Sequence, residues 1–248
     1  MMSLVLLYAF CGLLAGLLIG AVGIGGVILV PLLVYLAEAD IHQSIAAALF
    51  SFLISGIVGT GMYSRRGVID WSLARSLMIG AVPGTVAGVF LLVHVNAFAL
   101  KVFIASLIII SAIRELLGAP MARDTHSFNP GAMRLIGIGA ITGLLSALSG
   151  TGGPLMLIPL LIWISAPIVL AIGLAQVIQL PIAIAATAGN AWNNLIDWPM
   201  ALAIAAGVAL GSWIGSTVSA HIPGAVIRKS VAVLLLASGG LMMFTLLF

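Results

Sequence analysis

Apolar residues run along this chain in long blocks, and polar residues interrupt them at a few defined places. The blocks cover residues 4–36, 43–63, 72–94 and 98–117, then 133–166, 169–190, 199–220 and 225–247. A helix needs about 20 apolar residues to cross the hydrocarbon of a bilayer, and each block reaches that length. A bilayer supplies no water to exposed backbone amides, so chains of this kind cross it as helices. The pattern predicts an all-α polytopic integral membrane protein with 8–10 membrane segments. The first block of each half is broken by glycine, at Gly23-Ile24-Gly25-Gly26 and at Ser149-Gly150-Thr151-Gly152-Gly153-Pro154. Both places are expected to be Gly-broken or hairpin helices.

The polar interruptions recur. The offset that lays Ile69-Asp70-Trp71 on Ile196-Asp197-Trp198 also lays Gly80, Gly84 and Gly88 on Gly207, Gly211 and Gly215. It lays Lys101 on Arg228 and Gly23–Gly26 on Gly150–Gly153 too, with Pro31 and Pro159 slightly out of register. An ordered set of matches at one spacing predicts an internal repeat. The first repeat is read as 1–118, a cytoplasmic linker as 119–131 and the second repeat as 132–248, all forming one integrated transmembrane domain. Asp70 and Asp197 are expected to cap helix starts, with Trp71 and Trp198 at the membrane interface. The glycine stripes are expected to be close-packing faces, either inside the bundle or between protomers of a homodimer.

Composition agrees with this picture and narrows it. Of the 248 residues 63% are hydrophobic and 6% charged, against about 25% charged in soluble domains. Mean hydropathy is +1.33. The net charge of +3 reflects membrane orientation rather than nucleic-acid binding. Cys11 is the single cysteine, so no intrachain disulfide can form. The start Met1-Met2-Ser3-Leu4 reads as the beginning of the first helix, without the positive n-region of a removable signal.

Lys and Arg decide which way up such a chain sits. They cluster at Arg65, Arg66 and Arg75, at Arg114, Arg123 and Arg134, and at Arg228-Lys229. If each broken segment returns to the side it entered from, all these clusters fall on the cytoplasmic side. Each repeat then has an odd number of net crossings, and the repeats are inverted. If each broken segment crosses once, the repeats run parallel and Arg228-Lys229 falls opposite Arg65-Arg66. The first arrangement breaks fewer rules.

Irregular backbone at membrane depth is tolerated only where protein or a wet cavity satisfies it. The candidate substrate-binding residues are therefore Gly23, Gly25 and Gly26 in the first break and Ser149, Gly150, Thr151, Gly152 and Gly153 in the second. Pro154 suits the first turn of a new helix. A helix starting there aims free N–H groups and about half a positive charge at the break, which suits an anion without any lysine or arginine. Gln176 and Gln179 share a helix face and can bind either a ligand or a neighbouring helix. Ser51 and Ser55 are read as helix packing. No Asp, Glu, Lys or Arg falls in mid-segment, so no proton relay is visible. No metal, nucleotide or other cofactor motif is present, and none is expected.

Gly23-Ile24-Gly25-Gly26 before Pro31, repeated as Gly150-Thr151-Gly152-Gly153 before Pro159, resembles the TauE/SafE family of sulfite exporters and related permeases. The duplicated layout and basic linker extend the resemblance over nearly the whole chain. Val27 and Pro154 stand where the family commonly has a further glycine. The resemblance implies a secondary transporter of small sulfur-containing anions of the sulfite, sulfonate, sulfoacetate or thiosulfate type. It also implies a site between the repeats and a bacterial inner membrane. Two other classes remain open at the level of sequence. One is a non-transporting membrane assembly subunit. The other is an intramembrane serine hydrolase built on Ser149, although no histidine lies in mid-segment to serve as its base.

Overall fold

A computed structural model describes residues 2–22, 26–117, 128, 130–219 and 224–247. These form ten helices and no strand: α1 (Met2–Val22), α2 (Gly26–Tyr35), α3 (Ile41–Arg65), α4 (Trp71–His94), α5 (Ala97–Leu117), α6 (Ala132–Ser149), α7 (Pro154–Trp163), α8 (Ile168–Trp192), α9 (Trp198–Ser219) and α10 (Gly224–Leu247). Six of them, α1, α3, α4, α6, α8 and α9, contain stretches long and apolar enough to cross a membrane. Apolar stretches 26–35, 97–113, 154–163 and 232–246 are shorter. Most of the linker 119–131, including Arg123, Asp124 and His126, lies outside the described residues.

The loops stop and start helices by the chemistry the sequence offers. Asp40 and Asp70 cap α3 and α4, each carboxylate accepting from the backbone amides two and three residues on. The Asp197 carboxylate accepts from the Met200 amide at 3.1 Å. Gly67 closes the α3–α4 turn at φ 67. Trp71, Trp163, Trp192 and Trp198 stand exposed at helix ends, the level where amphipathic rings favour the membrane interface.

Two helix pairs pack more closely than any others described, α1 with α9 and α4 with α6. Lipid tails are as apolar as leucine, so helices gain little by hiding apolar surface from one another and associate through contact at short range. Glycine supplies that range. A Cβ at Gly88 would lie 2.6 Å from the Leu144 carbonyl oxygen, and one at Gly16 2.5 Å from that of Val208. Gly80 and Gly84 likewise meet Ile136 and Ala140 on α6, while Gly207, Gly211 and Gly215 meet Ala9, Leu13 and Leu17 on α1. Both glycine stripes are therefore used inside one chain.

The same contacts fix helix direction. Gly12 and Gly16 meet Ile204 and Val208, so α1 and α9 run parallel; Gly139 and Gly143 meet Leu77 and Ala81, so α4 and α6 do too. Gly56 meets Leu180, Gly59 meets Gln176 and Gly173 meets Tyr63, so α3 and α8 are antiparallel. Because short loops tie the ends of α2 and α7 to the starts of α3 and α8, these half-length helices run back against α1 and α6. One end of the bundle carries loops 66–70 and 164–167 and gathers Arg65, Arg66, Arg75 and Arg134; we call it the arginine end. The opposite end carries loops 36–40, 95–96 and 193–197. The helix starts Ile41, Trp71 and Ala97 recur at Ile168, Trp198 and Gly224, all at the offset that relates Asp70 to Asp197.

Candidate functional site

The second break is built from glycine conformations no other residue adopts freely. Gly150 is left-handed (φ 68, ψ 26) and its amide closes α6 on the Ser146 carbonyl, a common C-terminal cap. Gly152 and Gly153 follow at φ 73 and 112, and Pro154 opens α7. The Gly153 carbonyl accepts from the Met156 and Leu157 amides. Among the described residues, the amides of Gly152, Gly153 and Leu155 find no acceptor. The Ser149 hydroxyl donates to the Leu145 carbonyl at 2.7 Å and lies 2.9 Å from the Thr151 hydroxyl. Both residues are buried.

In the first break, Gly23 and Gly25 lie outside the described residues, and Gly26 opens α2. Gly26 meets the tip of the Phe52 ring and Gly152 its Cγ–Cδ2 edge. A Cβ at Gly26 would lie 2.5 Å from the Phe52 ring, and one at Gly152 2.6 Å from it. Gln179 reaches the same place from α8, its amide nitrogen donating to the Ser55 hydroxyl at 2.6 Å and lying 3.5 Å from the Phe52 carbonyl. The starts of α2 and α7 therefore converge on Phe52 and Gln179. Each helix start carries about half a positive charge, and no described Lys or Arg side chain lines the void there. The void they enclose, lined by Gly26, Phe52, Thr151, Pro154, Leu155, Gln179 and Ile19, measures about 10 Å³. That is room for about one water.

A larger space adjoins it. A cavity of about 380 Å³ lies between α1, α3, α8 and α9, toward the arginine end, with Ile19, Ser55, Met62, Tyr63, Gln176 and Ser212 among its lining. The Gln176 side chain is 6% exposed, faces this cavity, and has no partner among the described residues. Its backbone carbonyl accepts from Thr60 at 3.1 Å.

The structure thus separates residues that share one face in the sequence. Gln179 belongs to the convergence point, and Gln176 to the cavity beside it. Gly26, Thr151 and Gly152 stand at the convergence point, Gly153 packs against Ile178 and Ile182, and Gly150 turns away toward Val30 and Ile45. Ser149 is bonded within its own helix end. The described histidines, His42 and His94, bond the Val95 and Phe90 carbonyls at the opposite end. No group of three His, Cys, Asp or Glu side chains is placed to hold a metal among the described residues.

Sequence reasoning missed Phe52, and a signal for it existed: the repeat offset that lays Asp70 on Asp197 lays Phe52 on Gln179. One expected outcome follows from its position. Gly152→Ala forces a left-handed alanine, costing about 1–2 kcal/mol, and overpacks the Phe52 ring, costing about 1–3 kcal/mol more. The melting temperature should fall by about 4–20 °C, at roughly 2–4 °C per kcal/mol for a chain of this size. Adding Phe52→Leu should restore about half of the loss in thermal unfolding of the purified protein.

The family described as sulfite exporter TauE/SafE matches residues 8–242. A probable membrane transporter protein of Bacillus subtilis (strain 168), YdhB, is 23% identical over 239 residues, covering 93% of this chain and 97% of its own. A second from the same organism, YunE, is 23% identical over 246 residues, covering 88% and 89%. A probable membrane transporter protein of Haemophilus influenzae is 26% identical over 257 residues, covering 95% and 97%. No solved structure matches the chain.

Proposed function

The chain belongs to the sulfite exporter TauE/SafE family, and on that premise we propose that it is a secondary transporter of small sulfur-containing anions of the sulfite, sulfonate, sulfoacetate or thiosulfate type. It is a multi-pass membrane protein, and its relatives over nearly their whole length carry the name of membrane transporter. The observation that carries the substrate reading is the convergence of the α2 and α7 starts on Gln179. Two positive helix ends, amides without an acceptor among the described residues and no described Lys or Arg beside them make a site that holds an anion weakly enough to release it.

Two inverted repeats underlie the proposed mechanism. The recurrence of helix starts at one constant offset supports a duplication. So does reciprocal packing: α1 lies along α9 of the other half, and α6 along α4. The antiparallel α3 and α8 support the inversion. Alternating access then consists of rocking one repeat against the other around Phe52 and Gln179. The arginine end faces the cytoplasm of a bacterial inner membrane by the positive-inside rule.

Binding tests this reading directly. Purified protein should be stabilised by one or more members of a panel of sulfite, thiosulfate, sulfate and short alkyl sulfonates. At a hundred times its Kd a ligand adds about 2.7 kcal/mol, or roughly 5–10 °C in melting temperature at this chain length. Equal curves with every anion and with chloride would sink the substrate assignment.

A further inference from the structure

We propose that the protein holds a second vestibule, closed in this structure, on the opposite side of Phe52 and Gln179 from the open cavity. It lies between α4, α6 and α8 and is lined by Thr85, Ser146, Thr187 and Asn190. It opens as the cavity near the arginine end closes. This inference rests on the transporter reading above.

The first observation is a set of buried polar groups with nothing to bond. Among the described residues, the Thr85, Ser146 and Thr187 hydroxyls and both ends of the Asn190 amide have no hydrogen-bond partner. Thr85, Ser146 and Asn190 are 0% exposed. Each unpaired buried polar atom costs about 1–3 kcal/mol, and native proteins hold only a few. These gather in one region. A Cβ at Gly143, one turn before Ser146, would lie 2.8 Å from the Thr85 hydroxyl, and one at Gly189, beside Asn190, would lie 2.9 Å from Val89. Val89 stands one turn beyond Thr85 on α4. Polar groups left dry in one state are explained if another state wets them.

The second observation is independent and concerns position. The offset that lays Asp70 on Asp197 also lays Ile19 on Ser146, Tyr63 on Asn190 and Thr85 on Ser212. Ile19, Tyr63 and Ser212 line the open cavity. The orphaned groups therefore occupy the counterparts of that cavity's wall, at the other end of the bundle. Thr60 and Thr187 are counterparts as well. The Thr60 hydroxyl bonds the Gln176 carbonyl, whereas the Thr187 hydroxyl has no partner among the described residues. The Ser212 hydroxyl and the Gln176 amide on the open side also lack a partner among the described residues, but they border a cavity of about 380 Å³ that can hold water, whereas Thr85, Ser146 and Asn190 are shut away from it. An exchange of these two conditions between repeats is what alternating access requires. Because Gln176 has Leu49 as its counterpart, the second vestibule has hydroxyls and the Asn190 amide in place of a glutamine. It suits hydrated passage of the anion rather than tight binding.

Cysteine labelling of the full chain in proteoliposomes tests this, in a background where the buried Cys11 is changed to serine. Ser146→Cys and Thr85→Cys are near-isosteric, and either suffices if the other fails to fold. Each should react with a membrane-impermeant maleimide from the face carrying loop 193–197 only. Met62→Cys, in the open cavity and 40% exposed, should react from the other face. In the double variant, prior maleimide at Met62→Cys should hold the cavity open and slow Ser146→Cys labelling at least tenfold. Unreactive Ser146→Cys and Thr85→Cys, beside a reactive Met62→Cys, would overturn the proposal. So would labelling of Ser146→Cys that ignores the block. Reciprocal labelling without flux of any sulfur anion would instead leave the vestibule standing and remove the transporter reading on which it was built.

Discussion

Gly211→Leu yields no folded protein. Gly211 sits where α9 crosses α1, and a Cβ there would meet the Leu13 carbonyl and lie 2.8 Å from the Leu17 amide nitrogen and 3.0 Å from the Gly16 backbone. These are backbone atoms and cannot turn aside as a flexible side chain would. A leucine must push the two helices apart along the tightest interface in the bundle. The loss exceeds about 4 kcal/mol, the range reserved for gross overpacking or core failure. Gly84→Leu repeats the effect at α4 and α6, where the obstacle is Ala140. Gly137→Leu and Gly240→Leu are the controls, because nothing lies within 4 Å of a Cβ at either position. Gel filtration of fluorescently tagged protein in detergent should show a monodisperse peak for the controls and none for Gly211→Leu. A folded Gly211→Leu protein would mean the α1–α9 contact is not the close approach described.

The second large effect falls on transport and leaves the fold intact. Gln179→Leu keeps nearly the same volume, and the Ser55 hydroxyl retains the Phe52 carbonyl at 3.3 Å. What is removed is the amide beside the two converging helix starts. A hydrogen bond to a charged group contributes about 1.5–3 kcal/mol, so flux should fall by about tenfold or more. Gln179→Glu should do worse at pH 8, because a carboxylate there repels the anion directly. Burial raises a carboxyl pKa, so the substituted side chain takes its proton as pH falls. Relative to wild-type protein at the same pH, flux should return on acidification. Unchanged flux in Gln179→Leu, with an unaltered melting curve, would remove this residue from the pathway.

Much of the fold was legible in the sequence because membrane helices are specified locally. Block length gave the helices, and Asp40, Asp70 and Asp197 cap them where the polar positions fall. The start of α7 at Pro154 followed from proline at a first turn. Partner choice was not legible. The stripe Gly207, Gly211 and Gly215 announces close approach, but nothing local says that α1, from the far end of the chain, is its mate. The site was half legible for the same reason. Glycine and glutamine stand out in an apolar run, so both breaks, Gln176 and Gln179 could be named. Phe52 looks like any lipid-facing or core aromatic until folding sets its ring against both Gly26 and Gly152. The division of labour between Gln176 and Gln179 depends on which part of α3 each one meets, Gly59 for Gln176 and Ser55 for Gln179, which is a tertiary property. The buried side chains of Thr85, Ser146 and Asn190, unpaired among the described residues, are likewise unremarkable in the sequence and informative only once their neighbours are known.

The central claim is that paired helix breaks around Gln179 carry a sulfur-containing anion across the bilayer. The most direct measurement is anion flux into proteoliposomes containing only this protein, run with sulfite, thiosulfate and short alkyl sulfonates against protein-free vesicles. The account predicts saturable flux of at least one of them, suppressed about tenfold or more by Gln179→Leu. Flux no faster than in empty vesicles for every anion, from protein with a normal melting curve, would contradict it.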